Sequence, residues 1–461
     1  MLHGQLNLRN EVLAPRFRAA EALALQRVDR HIRNETIRPA APEIEKYVCL
    51  TAIHDLAVVP FPARAIDPDS ADFLRCHKEL DRYRFYTYWG PLTAVLMIPW
   101  VAAFGLTASD NLINALFGAI NVTLIYWMLR TVDRAGLRRI REPCCVALTV
   151  LFGLGTVHFW LSCRGSVWFA VQIATLTPLI LSIIAICARR DSMGTCAMSG
   201  AMFGAAVLGR SIVATMGLFY LTVVWVRVRR HPGTIGPRLA ARAVAFGLPL
   251  LVAGATQLAY NHGRFGSVLE TGQGITARTG GEPRFRVEYE RFGSFHPVFL
   301  ARNLWHYFVN PNFPVVNGRR TFDPEGNSLF LITPPLLFVF LIGRRWDGFT
   351  AALLAGVIPL VVALLLFRAT GFRQFGNRYL LDAMPLLLLL VATGMDGRLS
   401  AVGTAMIVAA VAMNTFGALR FHNELPRIAD RMPAVYGIAL LAAAGIAVFN
   451  VGRAIRGALS P

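Results

Sequence analysis

Long runs of apolar residues, separated by short polar segments, dominate the chain from residue 90 onward. The runs at 351–367 and 434–449, for example, contain no charged residue. A helix needs about 20 mainly apolar residues to cross the roughly 30 Å hydrocarbon layer of a bilayer. The pattern therefore predicts spanning helices near 111–129, 144–162, 167–187, 195–209, 212–226, 241–260, 328–343, 348–366, 379–395, 399–417 and 434–452.

The amino-acid composition supports this interpretation. Of the 461 residues, 55% are hydrophobic and only 16% are charged, whereas a soluble domain carries about 25% charged residues. A soluble protein would need amphipathic helices to cover its core, and these runs are apolar all round. We therefore predict an all-α fold: a polytopic membrane helix bundle of about eleven spans plus a re-entrant segment, with extracytoplasmic loops.

The formal net charge of +19 does not indicate a nucleic-acid partner. Much of the surplus lies in short loops between apolar runs, with five arginines in each of 130–141 and 227–242. Basic residues concentrate in the cytoplasmic loops of membrane proteins, so we place these loops in the cytoplasm. Only two of the 46 basic residues are lysines, which is typical of a GC-rich genome. We therefore expect a multi-pass protein of a bacterial inner (plasma) membrane, with membrane lipid as a partner and no favoured oligomeric state.

The side on which each loop lies depends on the segment 195–226. One long helix here would send the strongly basic 227–242 loop outside. A break at Gly209-Arg210-Ser211 instead places all the strongly basic loops on one side, so we predict two short helices. The segment 418–433 fits poorly, because it then lies outside with three arginines.

This topology predicts four regions along the chain. The short run at 90–107 contains two prolines, which makes a full crossing unfavourable and suits a re-entrant helix covered by protein or water. The regions are a first extracytoplasmic loop with this re-entrant segment (1–110), a transmembrane bundle (111–260), a second extracytoplasmic loop (261–327) and a second transmembrane bundle (328–461).

Polar residues cluster in the parts predicted to lie outside. Arg210 lies within an apolar hairpin, where a charge costs roughly 2.5–3.5 kcal/mol on insertion scales. It either extends to the interface or contacts a lipid phosphate, and the pattern favours neither. Arginine forms bidentate hydrogen bonds with phosphate, and neighbouring amides and aromatic rings suit a sugar. We therefore assign substrate binding to His54, Tyr86, Arg210, Asn261, Arg264, Glu270, Arg302, Asn303, Arg378 and Tyr379.

The polar N-terminal stretch supplies a candidate carboxylate, Asp55, beside His54. A carboxylate can take the proton from an acceptor hydroxyl or hold a metal on a donor phosphate. A single aspartate in such a stretch is more often simply solvated. No cysteine or histidine spacing suits zinc, so we predict no metal ligands.

Three stretches resemble the GT-C superfamily of polytopic glycosyltransferases, specifically the bacterial relatives of dolichyl-phosphate-mannose protein mannosyltransferases. The first is RFYTYWGPLTAVLMIPWVAAFG (84–105). The second is YNHGRFGSVLETG (260–272), continued by RFGSFHPVFLARNL (291–304). The third is FRQFGNRYLLDAMPLLLLL (372–390). Their order and spacing agree with the family over roughly residues 1–420.

The resemblance implies an inverting glycosyltransferase that moves a sugar from a polyprenyl-phosphate-linked donor to an acceptor on the extracytoplasmic face. A divalent metal is allowed, since some members use one. The family's catalytic carboxylate lies in the first outer loop, and Asp55 is the best match here. The resemblance also implies that the family's first helix is missing before Met1, and the family's usual Asp-Glu pair after that helix is not visible in the sequence.

Two other functions remain open on the sequence. A transporter or flippase of lipid-linked sugars would be expected to show repeated halves and charges near the midplane, and the chain shows no internal repeat. A degenerate, non-catalytic homologue would explain the missing first helix and the missing Asp-Glu pair.

Overall fold

The computed structural model of the protein describes residues 89–104, 110–190, 192–229, 235–274, 283–316, 319–371 and 374–422. The chain divides into two compact units. Of the described residues, the first unit contains only 97–104, which belong to the second half of one helix. The second unit consists of Tyr88–Leu96 and Ser109–Pro461.

Helices account for most of the described chain. They are α1 (Pro91–Phe104), α2 (Asp110–Arg134), α3 (Glu142–Leu154), α4 (His158–Ser162), α5 (Val167–Cys187), α6 (Met193–Gly209), α7 (Gly217–Arg229), α8 (Ile235–Phe265), α9 (Pro283–Phe292), α10 (Leu300–Leu304), α11 (Leu329–Ile332), α12 (Gly348–Leu366), α13 (Met384–Gly394) and α14 (Ala401–His422). Short 3₁₀ segments cover Ser211–Met216, Pro297–Phe299, Pro334–Arg345 and Arg378–Ala383, and a π-helical turn covers Trp305–Val309.

Four short strands form two small sheets among the described residues. Strands β1 (Val315–Val316) and β2 (Arg319–Arg320) pair antiparallel. Strands β3 (Glu325–Asn327) and β4 (Gln374–Gly376) pair in parallel, with Glu325 opposite Gln374. The β3–β4 pair joins the loop before α11 to the segment before α13.

Six of these helices are long and apolar enough to cross a membrane: α2, α5, α7 with the 3₁₀ segment before it, α8, α12 and α14. Four shorter apolar helices lie at Pro91–Phe104, Glu142–Leu154, Met193–Gly209 and Pro334–Gly343. The predicted helical class is thus confirmed. The count of about eleven spans stays a prediction, and the run at 434–452 lies outside the described residues.

Three predicted spans differ in detail from the helices observed. The run 144–162 is divided into α3 and α4, because Gly155 ends α3 and the Thr156 hydroxyl donates to the Phe152 carbonyl at 2.8 Å. The run 328–343 stops being α-helical at Thr333, since a residue before proline disfavours the helical conformation. The run 379–395 begins as a 3₁₀ segment and becomes α-helical only from Met384.

The predicted break in 195–226 is confirmed. Helix α6 ends at Gly209, and Arg210 is extended (φ −142°, ψ 103°) before the 3₁₀ segment begins at Ser211. At the end of α7, Arg227 Nη2 donates to the Cys187 carbonyl at 2.9 Å. Because α6 starts just after Cys187, α6 and α7 run in opposite directions and form a hairpin with Arg210 at its tip.

Contacts between loops bring several basic segments to one end of the bundle. Arg138 Nη2 lies 2.7 Å from Asp347 Oδ1, and Arg345 Nη2 lies 2.7 Å from Asp396 Oδ1. The Arg141 amide donates to the Gly397 carbonyl at 2.9 Å. We call this the basic end, formed by 135–141, 187–190, 227–229, 345–348 and 395–400. Its assignment to the cytoplasm stays a prediction.

Helix caps fix where two helices leave the basic end. The Ser192 hydroxyl accepts from the Thr195 amide at 3.2 Å, and the Thr195 hydroxyl accepts from the Ser192 amide at 3.1 Å. This reciprocal capping box starts α6. Asp347 accepts from the Thr350 amide at 2.8 Å and starts α12.

Burial separates the central helices from the peripheral ones. In the most apolar 18-residue stretch of each helix, 78% of α5 is buried inside the protein, against 11% of α8. Helix α8 consequently exposes large apolar side chains such as Leu248, Leu251 and Val252. An exposed apolar face of this kind suits contact with lipid chains.

Candidate functional site

The candidate site lies at the end of the bundle away from the basic end. It is formed by side chains from the tip of the α6–α7 hairpin, the start of α5, the end of α8, the loop 293–303 and the segment 366–382. We call this the arginine end, because Arg210, Arg264, Arg302, Arg368 and Arg378 lie there.

Among the substrate-binding candidates that carry charge, Arg210, like Arg378, is buried. Its Nε lies 2.9 Å from Asp382 Oδ2, and the exposed fractions of the two side chains are 6% and 0%. Its guanidinium faces the ring of Tyr379 at 5.4 Å and the ring of Trp89 at 5.9 Å. The Arg210 side chain is therefore turned into the protein. It lies in an aromatic cage with a carboxylate at its base.

The Arg210 side chain uses only one nitrogen in this ion pair. Among the described residues it makes no second hydrogen bond, so Nη1 and Nη2 are not engaged. Asp382 Oδ1 is likewise buried without a hydrogen-bond partner in the described part of the chain. A buried ion pair is costly unless its remaining polar atoms are satisfied. Both members of this pair therefore have hydrogen-bonding capacity left over.

Arg264 approaches the same cage from the end of α8. Its Nη1 donates to the Trp89 carbonyl at 3.0 Å, and its Nη2 donates to Asn261 Oδ1 at 3.2 Å. Asn261 Nδ2 in turn donates to the Val268 carbonyl at 3.1 Å. Trp89 thus contacts Arg264 through its backbone and Arg210 through its ring, which links two candidates that are 54 positions apart.

Arg378 also contacts Tyr379 of this cage. Its guanidinium lies 5.2 Å from the Tyr379 ring and 5.4 Å from the Phe169 ring. Its Nη2 and Nε donate to the Gly371 carbonyl at 2.7 and 3.1 Å. Gln172 Nε2 donates to the Arg378 carbonyl at 3.0 Å. Arg378 is therefore held in place by backbone and rings.

Arg302 and Asn303 support the segment that leads to this cage. Arg302 Nη1 donates to Glu288 Oε1 at 2.6 Å, and its Nη2 donates to the Arg368 carbonyl. Asn303 Nδ2 donates to the carbonyls of Leu364, Leu365 and Phe367 at 3.2, 3.0 and 2.6 Å. Asn303 is fully buried, so its contacts are those of a structural residue capping the end of α12.

A buried layer of amide side chains underlies the arginine end. Asn377 Nδ2 donates to the carbonyls of His306 and Asn327, at 3.0 and 2.9 Å. Gln374 Nε2 donates to the carbonyls of Glu325 and Thr370, at 3.0 and 2.9 Å. These bonds satisfy irregular backbone that would otherwise be unpaired inside the protein. They fix the position of the segment that carries Arg378 and Asp382.

Tyr307 lies fully buried beside this layer, and its hydroxyl donates to the Thr370 carbonyl at 3.4 Å. Burial raises the pKa of the Tyr307 phenol above its usual value, while the positive charges of Arg210, Arg378 and Arg302 oppose that rise. The phenol stays protonated.

Glu270 lies at the edge of the arginine end. Its Oε1 accepts from the Gly272 amide at 2.6 Å. A Cβ placed on Gly274 would lie 3.4 Å from Glu270 Oε2 and would also meet the hydroxyl of Tyr289. Glu270 is thus close to Tyr289, whose ring faces Arg368 at 5.7 Å. No contact joins Glu270 directly to Arg210 among the described residues.

Three sequence candidates, His54, Asp55 and Tyr86, lie outside the described residues. Within the part of the chain that is described, no group of three or more His, Cys, Asp or Glu side chains could hold a metal ion.

The structure adds three residues that the sequence did not single out as candidates: Asp382, Gln172 and Trp89. Asp382 is 172 positions from Arg210, and Gln172 is 206 positions from Arg378. The charge of Asp382 at the start of an apolar run was a usable signal, because an intramembrane carboxylate usually has a partner. Gln172 and Trp89 gave no comparable signal.

Comparisons of the chain with known protein families, curated protein sequences and solved structures find no match.

Proposed function

We propose that the protein is a membrane glycosyltransferase that moves a sugar from a polyprenyl-phosphate-linked donor to an acceptor on the extracytoplasmic face. The observation that carries this proposal is the convergence of Arg210, Arg264 and Arg378 on Trp89 and Tyr379. Positive charge and aromatic rings are thereby combined at the end of the bundle opposite the basic loops.

The arrangement favours an anionic ligand that carries an apolar or sugar portion. Arg210 has two nitrogens without a hydrogen bond in the described chain, and it is 6% exposed. A guanidinium removed from water binds a phosphate oxygen more strongly than an exposed one, and its planar fork suits phosphate geometry. Arg264 and Arg378 are committed to carbonyls, so in this proposal Arg210 is the principal phosphate ligand and the other two orient the cage.

The proposed reaction is a single inverting displacement. The acceptor hydroxyl attacks the anomeric carbon of the sugar, its new bond to that carbon forms, and the bond between the anomeric carbon and the phosphate oxygen breaks. The lipid phosphate leaves with the electron pair, and Arg210 stabilises the charge that develops on it. In this proposal the proton of the acceptor hydroxyl goes to the carboxylate of Asp55, a role taken from the family resemblance, since Asp55 lies outside the described residues.

The test is sugar transfer in isolated membranes that contain the protein and a radiolabelled donor. The donors are polyprenyl-phosphate mannose and polyprenyl-phosphate glucose, and the readout is label moved from the lipid to a new acceptor. Asp55→Ala should abolish the transfer without lowering the amount of protein in the membrane, because it removes the base. An active Asp55→Ala variant would contradict the assignment of Asp55.

The matched control is Arg345→Gln, which removes an arginine and an ion pair at the basic end. It should leave transfer unchanged, whereas Arg210→Gln should lower it by about 100-fold or more, the scale of losing one preorganised group that stabilises transition-state charge. Membranes that consume or translocate the donor without forming a glycosylated product would favour a flippase instead.

A further inference from the structure

We infer that Asp382 and Gln172 form a hydroxyl-binding position beside Arg210, so that the site recognises the sugar and the phosphate of a glycosyl phosphate together. The inference rests on the proposed function and names the substrate group that the buried ion pair contacts. It concerns positioning of the donor sugar, with Asp382 and Gln172 as its hydrogen-bond acceptors.

The first observation is the unequal use of the two Asp382 oxygens. Oδ2 accepts from Arg210 Nε at 2.9 Å, while Oδ1 is buried with no hydrogen-bond partner in the described chain. A carboxylate that only neutralised Arg210 would be expected to have both oxygens satisfied, since leaving a buried charged acceptor unpaired is costly in free energy. The free oxygen therefore requires a hydrogen-bond donor from outside the described residues.

The second observation is an independent acceptor on the neighbouring helix. Gln172 is fully buried in α5, its Nε2 donates to the Arg378 carbonyl at 3.0 Å, and its Oε1 has no partner among the described residues. Because Nε2 must face a carbonyl, the orientation of the amide is determined, and Oε1 is the unpaired atom. Arg378 and Asp382 lie four positions apart on one 3₁₀ segment, which places both acceptors beside the same short stretch of chain.

Within the described chain, Asp382 has an unpaired oxygen next to Arg210, Gln172 has an unpaired oxygen against the segment that carries Asp382, and Arg210 has two unengaged nitrogens. Together these groups are complementary to one kind of ligand. The acceptors need hydroxyl or amine donors, and the guanidinium needs an anionic oxygen. A sugar phosphate ester provides both, because the hydroxyl on the ring carbon next to the ester lies close to the phosphate oxygens. A bare lipid phosphate satisfies only Arg210.

The inference predicts a difference in affinity between two lipids. The probes are polyprenyl phosphate and the same lipid esterified with mannose or with glucose, titrated against the full chain in detergent micelles. The wild-type protein should bind at least one sugar-bearing lipid more tightly than the bare phosphate. Asp382→Asn should reduce that preference by about threefold to tenfold, because a neutral amide forms a weaker hydrogen bond than a carboxylate.

A second variant tests the same hydroxyl-binding position without changing the charge of the protein. Gln172→Met has nearly the same shape and should also reduce the preference for the sugar-bearing lipid, while binding of the bare phosphate stays within about twofold of wild type. Asp396→Asn, which changes an ion-paired aspartate at the basic end, serves as the matched control and should leave both affinities unchanged.

The outcomes separate this inference from the proposed function. A wild-type protein that binds neither lipid contradicts the proposed function and, with it, the inference. A protein that binds both lipids equally, or whose preference survives Asp382→Asn and Gln172→Met, overturns the inference and leaves the proposed phosphate site intact. In that case ordered water satisfies Asp382 Oδ1 and Gln172 Oε1.

Discussion

The two ends of the bundle use arginine in opposite ways. At the basic end Arg345 pairs with Asp396 while both side chains are about half exposed, at 54% and 51%. At the arginine end Arg210 pairs with Asp382 at exposures of 6% and 0%. The distances, 2.7 and 2.9 Å, are similar. The surroundings therefore decide what each pair does, because water screens one pair and is excluded from the other.

This difference separates a role in topology from a role in binding. Exposed pairs contribute at most about 1 kcal/mol and tolerate change, so the basic end can carry many arginines at little cost. A desolvated pair is retained only at a penalty in solvation free energy of several kcal/mol per ion. Among the described residues, Asp382 Oδ1 and two Arg210 nitrogens have no hydrogen-bond partner. A desolvated pair with such unused atoms is better suited to binding a ligand than to holding two helices together.

The largest expected effect is a difference in chemical labelling between the two ends, which are predicted to lie on opposite sides of the membrane. In a variant with Cys49 and Cys76 changed to serine, the exposed native Cys163 should react with a membrane-impermeant maleimide added to spheroplasts. A cysteine placed at exposed Arg398 should react only after the membrane is permeabilised. Labelling of both from the same side would contradict the predicted topology.

The pH of that experiment matters. Partial burial raises the pKa of the Cys163 thiol above its usual value, and the thiolate is the species that attacks maleimide. The labelling rate of Cys163 should therefore be lower at neutral pH than that of a fully exposed thiol, and it should increase as the pH rises through the raised pKa. The other described cysteines, at positions 144, 145, 187 and 196, are buried and should react slowly under all these conditions.

The next largest effect is on stability. Arg210→Met leaves Asp382 buried without its counter-ion, and removing one partner of a buried pair typically costs about 3–5 kcal/mol. The free energy of unfolding in detergent, followed by circular dichroism, should fall by that amount.

The double variant Arg210→Met, Asp382→Leu removes both charges and should recover most of the lost stability, because no unpaired charge remains. It should nevertheless lack donor binding. If the single Arg210→Met variant were as stable as wild type, Asp382 would not be desolvated. The proposed difference between a solvent-screened ion pair at the basic end and a desolvated pair at the arginine end would then be wrong.

A smaller effect is expected at Asn303, which supports the arginine end without touching the cage. Asn303→Leu removes the donor for three carbonyls of the 364–367 segment, and unsatisfied buried carbonyls should lower the free energy of unfolding by about 1–3 kcal/mol. Asn303→Asp should destabilise as well, because a carboxylate cannot donate. Equal stability of Asn303→Asp and wild type would argue that Asn303 binds a ligand instead.

The smallest effect is expected at the exposed pair. Arg345 donates a hydrogen bond to Asp396 and holds the pKa of that carboxyl below its ordinary value of 3.8. The pair should stabilise the protein above pH 3.8 and lose this contribution as the pH falls through the lower pKa of the folded state. Asp396→Asn should therefore change the free energy of unfolding at neutral pH by less than about 1 kcal/mol, measured at low and high salt. Asparagine accepts the left-handed backbone at this position (φ 57°).

The sequence predicted the parts of this fold that depend on local pattern. The apolar runs correspond to helices such as α5 and α12, and the charge balance of the loops predicted the break at Arg210. Among the described residues, six apolar helices are long enough to cross a membrane, whereas the predicted eleven spans included runs interrupted by Gly155 and Pro334. Those interruptions depend on backbone conformation, which an average of hydrophobicity over a window does not detect.

The sequence pointed to most of the residues that converge at the arginine end, but not to the partners that these residues contact. Arg210, Arg264, Arg378, Tyr379 and Asn261 do converge, yet their partners Asp382, Gln172 and Trp89 come from distant parts of the chain. Nothing in a run such as VWFAVQIATL, which surrounds Gln172, reveals that its amide contacts the backbone 206 positions later. Asn303 illustrates the converse, because a polar residue that suited a sugar is bonded to the backbone of α12.

The tip of the α6–α7 hairpin has a consequence for the bilayer itself. Helix α6 has 17 residues and rises about 26 Å, which is less than the roughly 30 Å of hydrocarbon that a membrane presents. Lipids beside a short helix thin locally to match its length. The headgroup layer above Arg210 would then bend inward, and a lipid phosphate would reach the depth of the guanidinium while still in the plane of its neighbours. Membrane thickness, set by the acyl chains of the host lipids, would thereby tune how readily the proposed lipid-linked donor engages the protein.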